Sequence, residues 1–202
     1  MTNTKIKICG LMRERDIAFA NILKPDFIGF VFAAGSLRYI TPYIAAKLRM
    51  KLLPSIVAVG VFTDEPVENV AGLIHGGIID MAQLHGRESE EYIVSLRQLT
   101  GSPVIKAFKI GSAADVRRAA LSPADFILLD SGAGGTGGVF DWRSIRDIER
   151  PFFLAGGLNA DNVSAAMDLL HPYAVDTSSG VETDHMKDCD KMQRFISAVR
   201  GD

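Results

Sequence analysis

The chain of 202 residues has only two cysteines, Cys9 and Cys189, at opposite ends and without metal-ligand spacing. That argues against a disulfide framework or a structural zinc site, and free thiols are the expectation. The four histidines, at 75, 85, 171 and 185, show no ligand pattern either, so no metal site is expected. Neither sign of charge dominates: 22 Lys and Arg stand against 24 Asp and Glu, for a net charge of −2. The balance gives no electrostatic case for nucleic acid or an anionic membrane, so any anion site must be local. No run approaches the ~20 apolar residues of a membrane helix. The opening MTNTKIKICG passes straight into a strand-like run without a signal-peptide pattern. A cytoplasmic location is therefore expected.

What is present is a beat. With 48% hydrophobic and 23% charged residues, the chain has an ordinary globular composition, and its length suits one large core. Eight short apolar runs recur about every 25 residues: Lys5–Cys9, Phe27–Val31, Ile56–Val61, Ile78–Gln83, Val104–Ala107, Phe126–Leu129, Pro151–Leu154 and Tyr173–Val175. Several are apolar at successive positions, as parallel strands covered on both faces are. Between them lie helical periods, such as Val163, Ala166, Met167 and Leu170, or Met192, Phe195, Ile196 and Val199; Tyr92, Leu96 and Leu99 fit the same pattern. Asn159 or Asp161, and Ser89, are candidate caps, and Pro42 and Pro66 stand where first helical turns are expected. Strict alternation of strand and helix over eight repeats predicts a single (β/α)8 barrel spanning 1–202 as one domain. A doubly wound open sheet would gather its ligand groups at one switch point. Here polar residues follow nearly every run, which favours closure. The loops at Phe32–Thr41 and Ser131–Asp141 look longest and are expected to cover or bind substrate.

In such a barrel every strand end opens on one face, where chemistry is done. Leu154-Ala155-Gly156-Gly157-Leu158 and Asp176-Thr177-Ser178-Ser179-Gly180 end strands 7 and 8. Glycine turns there bring backbone N–H groups close to an anion, so a phosphate is expected on them rather than two plain tight turns. Gly132–Gly137 formally matches a dinucleotide fingerprint, but no acid ends the next strand, and a glycine-rich lid fits better. Cys9 ends strand 1; a thiol near a helix N-terminus or a cation becomes a usable base, although cysteine is often simply buried. Asp130 ends the apolar strand Phe126–Leu129, where partial desolvation suits a general acid, its plainer role being to cap the following loop. Asp176 is the same type of position on strand 8, fit to orient a group near Cys9 or to cap the last helix. Arg38 in the long second loop can hold a carboxylate bidentately or lie solvated. His85 is the only histidine at a strand end and joins the substrate-binding candidates.

Ten segments in order resemble the phosphoribosylanthranilate isomerase family nearly end to end: Lys7–Leu11, Gly29–Phe32, Ser36–Ile40, Gly60–Phe62, Gln83–Gly86, Leu128–Ser131, Gly134–Gly137, Phe140–Trp142, Leu154–Asn159 and Val175–Glu182. The resemblance implies a small (β/α)8 barrel of tryptophan biosynthesis that needs no cofactor or metal. It implies an Amadori rearrangement of N-(5-phosphoribosyl)anthranilate, with Cys9 as general base and Asp130 as general acid. It also implies that Arg38 holds the anthranilate carboxylate and that the backbone at Gly156, Gly157, Ser179 and Gly180 binds the phosphate. The partner is then a phosphorylated small molecule, and the chain a monomer or a homodimer. Met12, Gly35, Leu37 and Gly138 stand where the family commonly has Thr, Lys, Pro and Lys, departures that bear on affinity more than on reaction type. A histidine-pathway sugar isomerase is the rival enzyme reading, opposed by Cys9. A non-catalytic phosphate-binding barrel is opposed by Cys9 together with Asp130.

Overall fold

Eight parallel strands close into a barrel in the computed structural model, which describes residues 4–130 and 148–201. The strands are β1 (Lys5–Cys9), β2 (Phe27–Val31), β3 (Val57–Phe62), β4 (Met81–Leu84), β5 (Val104–Lys109), β6 (Phe126–Asp130), β7 (Phe152–Ala155) and β8 (Ala174–Thr177). Each pairs with the next, and β8 returns to β1 through Lys7 opposite Asp176. Seven helices are described: α1 (Glu14–Leu23), α2 (Pro42–Arg49), α3 (Val67–His75), α4 (Glu90–Thr100), α5 (Ala113–Ala120), α6 (Val163–Leu170) and α7 (Cys189–Arg200). A short hairpin, β9 (Glu182–Thr183) and β10 (Met186–Lys187), lies between β8 and α7. The expected loop Ser131–Asp141, with its Gly132–Gly137 lid, Gly138 and Trp142, falls outside the described residues. Among the described residues no helix is long and apolar enough to cross a membrane.

The expected runs mark the right strands, but several are displaced toward the C-terminus. Ile78 and Ile79 read as the start of a strand, yet β4 begins at Met81; Ile79 packs in the core outside the barrel wall. Leu99 is not on the buried face of α4, since Ile93 and Leu96 carry it and Leu99 is exposed. Ser89 caps α4 as expected, its Oγ accepting from Tyr92 N at 3.3 Å. Pro42 opens α2, whereas Pro66 sits one residue before α3. Asn162, not Asn159 or Asp161, immediately precedes α6. Asp176 caps no helix: Asp188 caps α7, accepting from Asp190 N and Lys191 N at 3.0 and 3.1 Å.

Alternation decides what faces the barrel axis. Ile6, Ile8, Ile28, Phe30, Ile127 and Leu129 point outward into the large core beneath the helices. Phe27, Val59, Met81, Ile105, Leu128, Phe153 and Ala174 point inward and form a second, separate core. The floor of the barrel is aromatic. Phe153 meets Phe27, Phe126 and Tyr173 edge-on at centroid separations of 5.4, 5.7 and 5.7 Å. At the opposite end Gly29, Val31, Val61, Ala107 and Ala155 are small inward positions, interspersed with Cys9, Gln83, Asp130 and Asp176. A plugged floor and a thinly filled top leave one cleft of about 1030 Å³ at the C-terminal face.

Candidate active site

Every candidate residue named from the sequence lines this cleft: Cys9, Arg38, His85, Asp130, Gly156, Gly157, Asp176, Ser179 and Gly180. Cys9 ends β1 and is 9% exposed. Space for its sulfur comes from Gly29 on the neighbouring strand, where a Cβ would stand 2.6 Å from Cys9 Sγ and 3.0 Å from Cys9 Cα. Gly29→Ala is therefore expected to displace the thiol. A misplacement of about 1 Å costs about 10²-fold, so kcat should fall by that order in protein that remains folded, with some loss of stability from the crowding. Steady-state kinetics beside a thermal melt checks this.

Below Cys9 on the same face of β1 lies Lys7, fully buried, with its Nζ donating to Asp176 Oδ2 at 3.0 Å. Burial pushes the Cys9 thiol up, Lys7 and Lys187 pull against it, and Asp176 adds to the rise. Burial likewise raises the Asp176 carboxyl against the pull of Lys7. Among the described residues Asp176 Oδ1 has no hydrogen-bond partner, although it is buried at the cleft wall. A buried acceptor left open in that way suits a hydroxyl or N–H of a ligand.

Across the mouth, with β7 and β8 between, Asp130 ends β6. His85 Nε2 lies 3.7 Å from Asp130 Oδ2, and Gln83 Nε2 lies 3.1 Å from His85 Nδ1. Gln83 and His85 are thus joined side chain to side chain, and the Nε2 edge of the ring faces Asp130. The loop bearing His85 is tied down from behind. Lys106 Nζ donates to Gly86 O and to Glu88 Oε2, both at 2.7 Å, and Glu88 in turn accepts from Gly86 N and Asp64 N.

Arg38 does hold a carboxylate bidentately, but here that carboxylate is Glu182. Arg38 Nε and Nη2 donate to Glu182 Oε1 and Oε2 at 2.8 and 2.6 Å. Lys187 Nζ donates to Glu182 and to Ser178 O, closing the knot beside β8. Burial works to raise the Glu182 carboxyl, and Arg38 and Lys187 outweigh it to hold it below the usual range. Among the described residues Glu182 occupies the Nε and Nη2 edge of the guanidinium, and the Nη1 edge suits a second carboxylate.

The glycine turns after β7 and β8 sit against each other. Gly156 and Gly157 have φ of 103° and 68°, backbone that side chains other than glycine rarely adopt. Thr177 Oγ1 donates to Leu158 O at 2.6 Å and joins the two loops. A Cβ at Gly180 would overlap Leu158 O. The two turns thus present closely apposed backbone, the form of an anion cradle. Among the described residues no group of His, Cys, Asp and Glu is arranged to hold a metal ion.

Three partners in this site went unassigned in the sequence reading. Lys7 and Gln83 lie inside runs read as strands, and Glu182 lies 144 positions from Arg38. Alternation already placed Lys7 on the face of Cys9 and Gln83 on that of His85, a signal that was available.

The family model for N-(5'-phosphoribosyl)anthranilate (PRA) isomerase matches residues 6–198 of the chain. The chain belongs to this family. A PRA isomerase of Endomicrobium trichonymphae is 44% identical over 200 residues, covering 97% of this chain and 98% of the relative. One from Clostridium acetobutylicum is also 44% identical, covering 97% and 98%. The crystal structure of the PRA isomerase of Thermotoga maritima superposes with a TM-score of 0.90 at 37% identity, covering 98% of this chain and 99% of that one. Another PRA isomerase structure, with reduced 1-(o-carboxyphenylamino)-1-deoxyribulose 5-phosphate bound, gives 0.88 at 36% identity over 98% and 99%. Of the four departures from the PRA isomerase pattern, Met12 packs against the core, Gly35 and Leu37 are exposed in the Arg38 loop, and Gly138 lies outside the described residues. The guanidinium is anchored in that loop by Glu182 where the preceding proline is lacking.

Proposed function

We propose that this chain isomerises N-(5'-phosphoribosyl)anthranilate to 1-(2-carboxyphenylamino)-1-deoxyribulose 5-phosphate in tryptophan biosynthesis. Family membership over nearly the whole chain supports the reaction. The observation that carries the residue roles is the convergence, in one cleft, of a thiol, a carboxyl, a half-occupied guanidinium and a double glycine turn.

In this reading the phosphate rests on the backbone at Gly156, Gly157, Ser179 and Gly180. The anthranilate carboxylate takes the Nη1 edge of Arg38. These two charged ends hold the ribose over the barrel mouth between Asp130 and Cys9. Asp130 gives its proton to the ring oxygen, the C1–O bond breaks, and the nitrogen lone pair forms a protonated imine. That cation acidifies the C2 hydrogen. The Cys9 thiolate removes it as a proton, the C2–H electrons neutralise the imine, and the resulting enolamine tautomerises to the ketone. His85 orients Asp130, and the open Oδ1 of Asp176 takes a sugar hydroxyl. No step needs a cofactor.

Arg38 supplies the test. The wild-type protein is expected to turn over phosphoribosylanthranilate. Arg38→Ala is expected to raise KM about 10- to 100-fold, the cost of one charged hydrogen-bonded contact, with kcat within a few-fold. Absence of wild-type turnover overturns the reading. A loss of kcat with KM unchanged overturns carboxylate anchoring.

A further inference from the structure

A lysine with 0% exposure inside a barrel needs a reason. Burying an ammonium is costly even when it is paired, and a hydrophobic side chain of similar volume commonly serves stability as well or better. Lys7 is one inward position below Cys9, and its register partner on β8 is Asp176. Only one oxygen of Asp176 engages it, while the other is buried without a partner among the described residues. The arrangement is a buried cation held by a single carboxylate oxygen, one inward position beneath a thiol that lines the cleft.

We infer that Lys7 is a positioning residue that stabilises the thiolate of Cys9 from inside the barrel, with Asp176 as the carboxylate that competes for its charge. The inference rests on the reading of Cys9 as the base. The charged groups that face Cys9 come from several elements. β1 gives Lys7, β8 gives Asp176, β9 and β10 give Glu182 and Lys187, and the loop after β2 gives Arg38. His85 and Asp130 face it across the mouth. Lys7 and Lys187 are the cations that oppose burial of the thiolate, Lys7 more strongly, and Asp176 works against them. Burial works against the charge of Lys7 itself, and Asp176 and Cys9 together outweigh it to hold its ammonium above the ordinary range. The sign follows: removing the charge of Lys7 raises the thiol midpoint.

The experiment is the pH dependence of Cys9 alkylation by iodoacetamide, read by mass spectrometry in a Cys189→Ser background. Lys7→Met is expected to move the midpoint up by about one pH unit or more, with alkylation at pH 7.5 slowed about tenfold. Its kcat/KM should recover relative to wild type as the pH is raised, which a merely structural role would not produce. Lys7→Arg should keep the midpoint near that of wild type. Lys7→Gln, which leaves a polar group for Asp176, should move it up as Lys7→Met does, and this arm decides the matter where Lys7→Met does not fold. A midpoint unchanged in Lys7→Met, or in Lys7→Gln where that variant decides, overturns the inference. Alkylation needs no turnover, so this failure is separate from that of Cys9 as base, which would show as retained activity in Cys9→Ala.

Discussion

Cys9→Ala is expected to lower kcat by about 10²- to 10⁴-fold, the usual contribution of one general base, while binding of the carboxyphenylamino product survives. The two effects separate because the groups separate. In the proposed reading the ligand's charges are met by Arg38 and by the glycine turns, and Cys9 serves the proton transfer. Cys9 is also small and stands at the edge of the cleft, in a minor apolar cluster with Val31 and Val61. Losing its sulfur removes little buried surface, so a thermal melt close to that of wild type is expected beside the kinetic loss. Cys9→Ser is the informative companion. A hydroxyl fits the space left by Gly29 but is a far weaker acid than a thiol, so the variant should stay near the alanine level.

Asp130→Asn is expected to lower kcat by a similar 10²- to 10⁴-fold. The amide keeps the shape of the carboxyl and a contact with His85, but it has no proton to give the ring oxygen. Ring opening becomes the slow step, and loss of the C2 hydrogen cannot begin before it. Since a proton donor at the leaving oxygen matters only while the C1–O bond is breaking, KM should change little. The check is kcat and KM measured together with dissociation of a product analogue. Near-normal turnover in Asp130→Asn would remove it as the acid, and a large rise in KM alone would recast it as a binding group.

Much of this site was legible along the chain because of one regularity. A parallel barrel sends every strand end to the same face, so residues that follow apolar runs must share a cleft whatever their separation. Cys9, Asp130 and the two glycine turns were found on that logic. What escaped had a physical reason in each case. Lys7 sits in the middle of a strand, where a charge suggests solvent; its ion pair with Asp176 is made by the closure of β8 on β1, which no local pattern encodes. Glu182, at the start of β9, meets Arg38 across 144 positions of sequence, a pairing that no local pattern encodes. The misplaced start of β4 came from Ile78 and Ile79, which are apolar for reasons of packing beneath the helices rather than pairing. Leu99 fits a helical period yet lies in the last turn of α4, beyond the face that Ile93 and Leu96 bury.

The most direct measurement follows anthranilate fluorescence of freshly prepared phosphoribosylanthranilate, with and without the purified protein, and with Cys9→Ala at the same concentration. The account predicts decay of the substrate signal much faster than the spontaneous rate with the wild-type chain, and decay near the spontaneous rate with the variant. Decay unaffected by the wild-type protein would contradict the isomerase, and equal acceleration by both proteins would contradict Cys9 as its base.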